Sequence, residues 1–146
     1  MRHLAWLVAI LVFVALVAGC GRGPFDTTPE ACVEHINALR ATKQLPPLAR
    51  WDGNEDCADA QAASDSVTGR AHGAFAACPN LAQNECPGWS SLTGSNGIVP
   101  GCLDMMWAEG PGGGHYDNMT RSGYTMVACG FHVTPDGTVW SVQDFR

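Results

Sequence analysis

The sequence predicts an α+β domain on three observations. Apolar residues recur at helical spacing in its first half, two β-rich runs close the chain, and a proline–glycine turn joins those runs. Strands and helices do not alternate, so a βαβ parallel sheet is not expected. The first helix starts at Thr28-Pro29-Glu30, an N-cap hydroxyl, a proline of fixed φ and an acid favoured by the helix dipole. Cys32, Val33, Ile36 and Leu39 share its apolar face. Lys43-Gln44 and Pro46-Pro47 end it, because a residue before proline avoids helical geometry. A second helix opens at Asp52 to Asp56, continues through the small side chains of Ala58 to Ala63 and stops at Gly69. Residues 70–100 read as loop. A third helix is expected from about Gly101 to Glu109, with Cys102, Met105 or Met106, and Trp107 facing inward, stopped by Gly112-Gly113-Gly114. The runs Thr125 to His132 and Thr138 to Phe145 then form an antiparallel hairpin about Thr134-Pro135-Asp136-Gly137.

The amino terminus carries a separate instruction. Arg2 is a positive flank, Leu4 to Ala18 is unbroken apolar sequence, and Ala18-Gly19 are the small residues of a cleavage site. The apolar run is shorter than the roughly 20 residues that span a bilayer as a helix. Leu16-Val17-Ala18-Gly19-Cys20 resembles the bacterial lipobox, which implies cleavage after residue 19 and lipidation of Cys20. The expected organisation is a signal over 1–19, a tether over 20–27 and one domain over 28–146. The domain would then sit in the cell envelope, outside the cytoplasm, held to a membrane by its lipid.

With Arg2 removed, seven basic residues face fourteen acidic ones. A single lysine, Lys43, and no basic stripe leave nothing to neutralise phosphates, so nucleic acid is not an expected partner. Six cysteines remain once Cys20 is set aside: Cys32, Cys57, Cys78, Cys86, Cys102 and Cys129. An even set in an oxidising compartment reads as three disulfides. The expected pairing is Cys32–Cys57, Cys78–Cys86 and Cys102–Cys129. No C-x-x-C pair points to a metal site, and fully paired cysteines leave no thiolate nucleophile.

Familiar catalytic signatures are absent from the sequence: no G-x-S-x-G elbow, no H-E-x-x-H helix and no glycine-rich phosphate loop. What stands out is a dispersed polar set, His72, Glu85, Glu109 and His115, with Tyr116 and Asn118 beside the last. On spacing alone these read as ordinary surface or loop residues. The glycine-rich segment between Glu109 and His115 is short enough to fold both toward one cavity.

An ordered series of motifs changes that reading. It runs Ile36-Asn37-Ala38-Leu39-Arg40-Ala41, Leu45-Pro46-Pro47-Leu48, Trp51-Asp52, the alanine-rich helix, His72, then Asn84-Glu85. It ends with Trp107-Ala108-Glu109, Gly114-His115-Tyr116-Asp117-Asn118-Met119 and Val139 to Phe145. In this the chain resembles the CAP superfamily, also called the SCP/pathogenesis-related-1 family, from about Thr28 to its end. The resemblance implies an α-β-α sandwich with a central antiparallel sheet. It also implies a cavity formed by His72, Glu85, Glu109 and His115. Asn84 and Cys86 depart from the family's Gly-Glu-Asn motif on either side of Glu85. Two imidazoles facing one opening would suit a divalent ion such as zinc, held by His72 and His115. Family members bind metal, sterols and other lipids, which implies a lipid, sterol or envelope or host partner here. The reading is a binding protein without obligatory catalysis. The alternative is a metal-dependent hydrolase or protease using Glu109 or Glu85 as general base. His35, Asn37, Arg40 and His132 read as structural or solvated.

Labelled palmitate fed to cells making the full chain is expected to enter the wild-type protein but not Cys20→Ala. Equal label in both would remove the anchor.

Overall fold

A computed structural model describes residues 28–90 and 97–146. The signal, Cys20 and the tether lie outside the described residues. Helix α1 (Pro29–Ala41) begins as expected, with the Thr28 hydroxyl accepting from the Ala31 N–H at 3.2 Å. It buries Cys32, Val33, Ile36 and Arg40. A two-residue strand β1 (Ala49–Arg50) and a 3₁₀ turn (Asp52–Asn54) lead into α2 (Glu55–Thr68), which ends at a left-handed Gly69. The second helix therefore starts three residues later than Asp52, after the tighter turn.

Three elements lie where the sequence reading placed loop or a single helix. Strand β2 (Ala82–Trp89) occupies part of the segment 70–100. Its buried side chains are Gln83, Asn84, Glu85 and Cys86, so no apolar alternation marks it. A π-helical turn (Ile98–Cys102) precedes α3 (Leu103–Ala108), splitting the expected third helix. Met106 packs inward, while Met105 is exposed. The glycine run does stop α3, but α4 (Gly114–Thr120) starts at its last glycine. Strands β3 (Met126–Val133) and β4 (Val139–Phe145) form the expected hairpin.

The sheet order is β1-β3-β4-β2. It is mixed, not wholly antiparallel: β3–β4 and β4–β2 are antiparallel, and the short β1 adds to β3 in parallel. The two faces of β4 show the sandwich. Val139 and Phe145 pack with Ile36, Leu103, Met106 and Met119 of the helices on one side, whereas Trp140 and Val142 pack with Ala58 and Ala62 of α2 on the other. The alanines allow α2 to approach closely. A Cβ on Gly130 of β3 would lie 2.2 Å from the backbone carbon of Ala58.

All six described cysteines are bridged, but not in the expected pairing. The bonds are Cys32–Cys129, Cys57–Cys78 and Cys86–Cys102. The first ties α1 to β3 across the core, the second staples α2 to the loop beneath it, and the third fastens β2 to the π turn. Pairing follows which elements the sandwich stacks, and the cysteines' sequence order does not contain that information.

Arg40 and Arg50 join the periphery. Buried Arg40 donates to the carbonyls of Pro46 and Met119, locking the end of α1 to the end of α4. Arg50 makes a bidentate pair with Glu55 at 2.5 and 2.6 Å and also binds Glu30, tying β1 to the starts of both long helices.

Gly130→Ala is expected to cost at least about 1–3 kcal/mol, because backbone atoms of α2 occupy the Cβ position. Denaturant unfolding of the oxidised protein measures this; an unchanged midpoint would contradict the close approach.

Candidate functional site

Strand β2 is a sheet edge, and its pleat sends alternate side chains to opposite faces. Gln83 and Glu85 point toward the loop after α2, which carries His72. Asn84 and Cys86 point toward the layer containing α3 and α4, which carries His115. The two histidines are thereby held from one strand, and their rings meet with centroids 6.4 Å apart and planes 28° apart.

His72 stands at φ 60°, a left-handed conformation uncommon for a residue with a Cβ. Glu85 holds it there: Oε2 accepts the His72 backbone N–H at 2.5 Å, and Nδ1 of the ring lies 2.9 Å from Gln83 Oε1. The loop is tied again further on. Asp65 Oδ1 accepts from Ala74 N at 2.8 Å, and Gln61 donates to the carbonyls of Ala74 and Phe75.

His115 is placed by α4. Asn84 donates to its carbonyl at 3.0 Å, and Asn118 donates to Asn84 Oδ1 and to the carbonyl of Gln83. These bonds lay α4 along the exposed edge of β2, and the one from Asn118 occupies the Gln83 carbonyl, a backbone group that a further strand would otherwise seek. Glu109, at the end of α3, folds back across the glycine turn. Its Oε1 lies 2.5 Å from His115 Nδ1, and Oε2 accepts the His115 N–H at 3.2 Å. Gly113 makes room for this, since a Cβ there would sit 2.4 Å from that of Glu109. Trp107 packs on Tyr116 and holds α3 against α4.

The four residues singled out from the sequence are thus brought together, in unequal roles. The side chains of His72 and His115 are 43% and 34% exposed, and that of Glu109 is 34% exposed. The Glu85 side chain is fully buried. It faces the His72 loop and Asp65 instead of solvent. Both histidines have Nδ1 engaged, and the described residues offer no hydrogen-bond partner to either Nε2. No group of three His, Cys, Asp or Glu side chains among the described residues converges to hold a metal ion. His72, Glu109 and His115 line an open groove, and Glu85 lies beneath it. A separate hollow of about 400 Å³ lies between the end of α2 and the hairpin turn, lined by Val67, His132, Pro135 and Trp140 among others.

Charge is arranged unevenly around this groove. Burial pushes the Glu85 carboxyl up to about 7; its bond to the His72 N–H opposes the rise, and neighbouring Asp65 and Asp144 add to it. Glu85 Oε1 and Asp65 Oδ2 are both buried and receive no donor from any other group, so the two carboxyls meet each other. Burial likewise raises Asp144, which is wholly buried, to about 6 against the bonds from Gln83 and Asn54. Glu109 is displaced the other way, below the usual carboxylate range, chiefly by its bond to His115.

Gln83, Asn84, Asp65 and Asp144 did not emerge from the sequence as site residues. The one signal available was Asp144 itself, an acid within the otherwise uncharged run from Val139 to Phe145.

Comparison with known proteins follows the same outline. The family model described as the cysteine-rich secretory protein family, CAP, matches residues 33–145. A crystal structure of a cysteine-rich secretory protein from Staphylococcus aureus subsp. aureus Mu50 is similar, with 15% identity and a TM-score of 0.47. That match covers 84% of this chain but only 40% of the other, so this chain spans less than half of that protein's length. No curated protein sequence matches the chain.

A raised carboxyl binds its proton more readily in the folded state than in the unfolded chain. Glu85 and Asp144 therefore cost no stability below the ordinary carboxylate range, and the cost grows as pH rises toward about 7 and about 6. The lowered Glu109 acts oppositely, but only at more acidic pH. Melting temperature is expected to fall by several degrees from about pH 5 to about pH 8, and Glu85→Gln to reduce the stability lost over that interval by an amount on the order of 2 kcal/mol. An unchanged slope in that variant would contradict the assignment.

Proposed function

The chain belongs to the cysteine-rich secretory protein (CAP) family, and on that premise we propose that it is a lipid-anchored, extracytoplasmic binding domain whose ligand site is the groove between His72 and His115. One observation carries the reading. Two part-exposed imidazoles stack on each other, each with Nδ1 against an oxygen acceptor and Nε2 without a partner among the described residues. An acceptor at Nδ1 places the proton there and makes Nε2 the free lone pair. Hydrogen-bonding a histidine through its other nitrogen is how proteins orient imidazoles toward a metal. The groove suits a divalent ion such as zinc held by His72 and His115, with water or a ligand's own oxygen completing its coordination.

The six paired cysteines support an oxidising compartment. Together with the lipobox, they support a domain displayed at a membrane surface toward a lipid, sterol or envelope partner. Among the described residues no helix is long and apolar enough to cross a membrane.

The acids favour binding over hydrolysis. A general base must reach the proton it abstracts. Glu85 is sealed beneath the His72 loop, and both oxygens of Glu109 are engaged by His115.

Zinc titration of the full chain in detergent tests the reading. The wild type is expected to bind one ion, and the His72→Ala/His115→Ala double variant to lose measurable binding while keeping its melting temperature. Equal binding by both would exclude the groove as the site.

A further inference from the structure

Asp144 sits on the central strand β4, directly opposite Gln83 of β2 in the sheet register. It is wholly buried, and its hydrogen-bond partners are three side-chain amides. Asn80 Nδ2 and Gln83 Nε2 lie 2.7 and 3.1 Å from Oδ1, and Asn54 Nδ2 lies 3.1 Å from Oδ2. A carboxylate accepts and does not donate, so each amide turns its NH₂ inward. For Gln83, which is itself buried, this leaves one orientation: Oε1 faces outward, 2.9 Å from His72 Nδ1. An amide oxygen also only accepts, so the hydrogen between them belongs to the ring.

We propose that Asp144 and Gln83 are positioning residues for His72. The buried carboxylate orients the amide, the amide fixes the proton on Nδ1, and Nε2 is left as the lone pair in the groove. Neither residue touches the ligand. The relay crosses the sheet from its central strand to its edge, then reaches the loop. It does for His72 what Glu109 does for His115 by direct contact, with one amide interposed. That spacer lets a carboxylate set the tautomer from inside the protein while the ring above it remains part-exposed. The consequence for binding rests on the function proposed above; the tautomer itself does not.

Histidine-ring nitrogen NMR on the ¹⁵N-labelled full chain in detergent, at about pH 8 where Asp144 is ionised, tests the relay without any ligand. In the wild type, His72 is expected to show a protonated Nδ1 and an unprotonated Nε2. Gln83→Leu removes the acceptor and Asp144→Asn removes what orients it, so both should move His72 toward the Nε2–H tautomer while His115 keeps its own. The double variant Gln83→Glu/Asp144→Asn moves the carboxylate one step outward and should restore the wild-type tautomer. Zinc binding is expected to weaken about 10- to 100-fold in the single variants and to recover in the double. A wild-type His72 protonated at Nε2 overturns the proposal even if no variant folds. So does an unchanged tautomer in a folded Gln83→Leu. A correct tautomer with no zinc binding by the wild type would leave the relay standing and defeat the metal reading.

Discussion

The pleat of β2 is the constraint on which the site depends. An edge strand has one open side and two faces, and here all three are used. Residues 83 and 85 reach the His72 loop, residues 84 and 86 reach the opposite layer, and α4 lies along the open side. A slip of one residue in the pairing of β2 with β4 would exchange these sets and part the histidines. The Cys86–Cys102 bridge opposes such a slip, because it fastens one face of β2 to the π turn. The register that builds the sheet is therefore the same one that builds the groove.

Polar side chains replace apolar ones where this happens. Gln83, Asn84, Glu85 and Asp144 are buried in strands, and Asp65 is buried on α2. Burying such groups is costly unless they are hydrogen-bonded. Amides and backbone N–H groups satisfy most of their atoms, but one oxygen each of Glu85 and Asp65 has none. With His72 held at a positive φ, these are the positions where local rules are broken, and they surround the groove. The other face of the sheet carries the larger apolar core. Ile36, Leu103, Met106, Met119 and Phe145 pack there, bridged by Cys32–Cys129, with Ser141 and Gln143 of β4 buried on the same face.

Much of the fold was legible because its signals are local. The Thr28 cap, the Gly69 stop and the Pro135–Gly137 turn act within a few residues, and each appears where the sequence places it. Strand β2 was not legible, since its buried residues are polar and it holds Pro87 and Gly88, which normally argue against a strand. Helix α4 was missed for another reason: a glycine run marks the end of one helix and equally permits the start of another. His72, Glu85, Glu109 and His115 were recognisable only as an ordered set of motifs. Nothing in that order revealed that Glu85 faces inward and Glu109 outward.

Legible in the chain alone were the α+β class, the start of the first helix, the stop of the second, the terminal hairpin, the acidic balance and an even set of cysteines after Cys20. Each depends on neighbouring residues or on composition. The disulfide pairing, the mixed sheet and the hydrogen-bond partners of the histidines were settled by tertiary packing. Cys32 finds Cys129 across 97 residues, and Gln83 finds Asp144 across 61. Such partners are selected by which faces pack together, and a face belongs to the folded sheet rather than to any short stretch of chain.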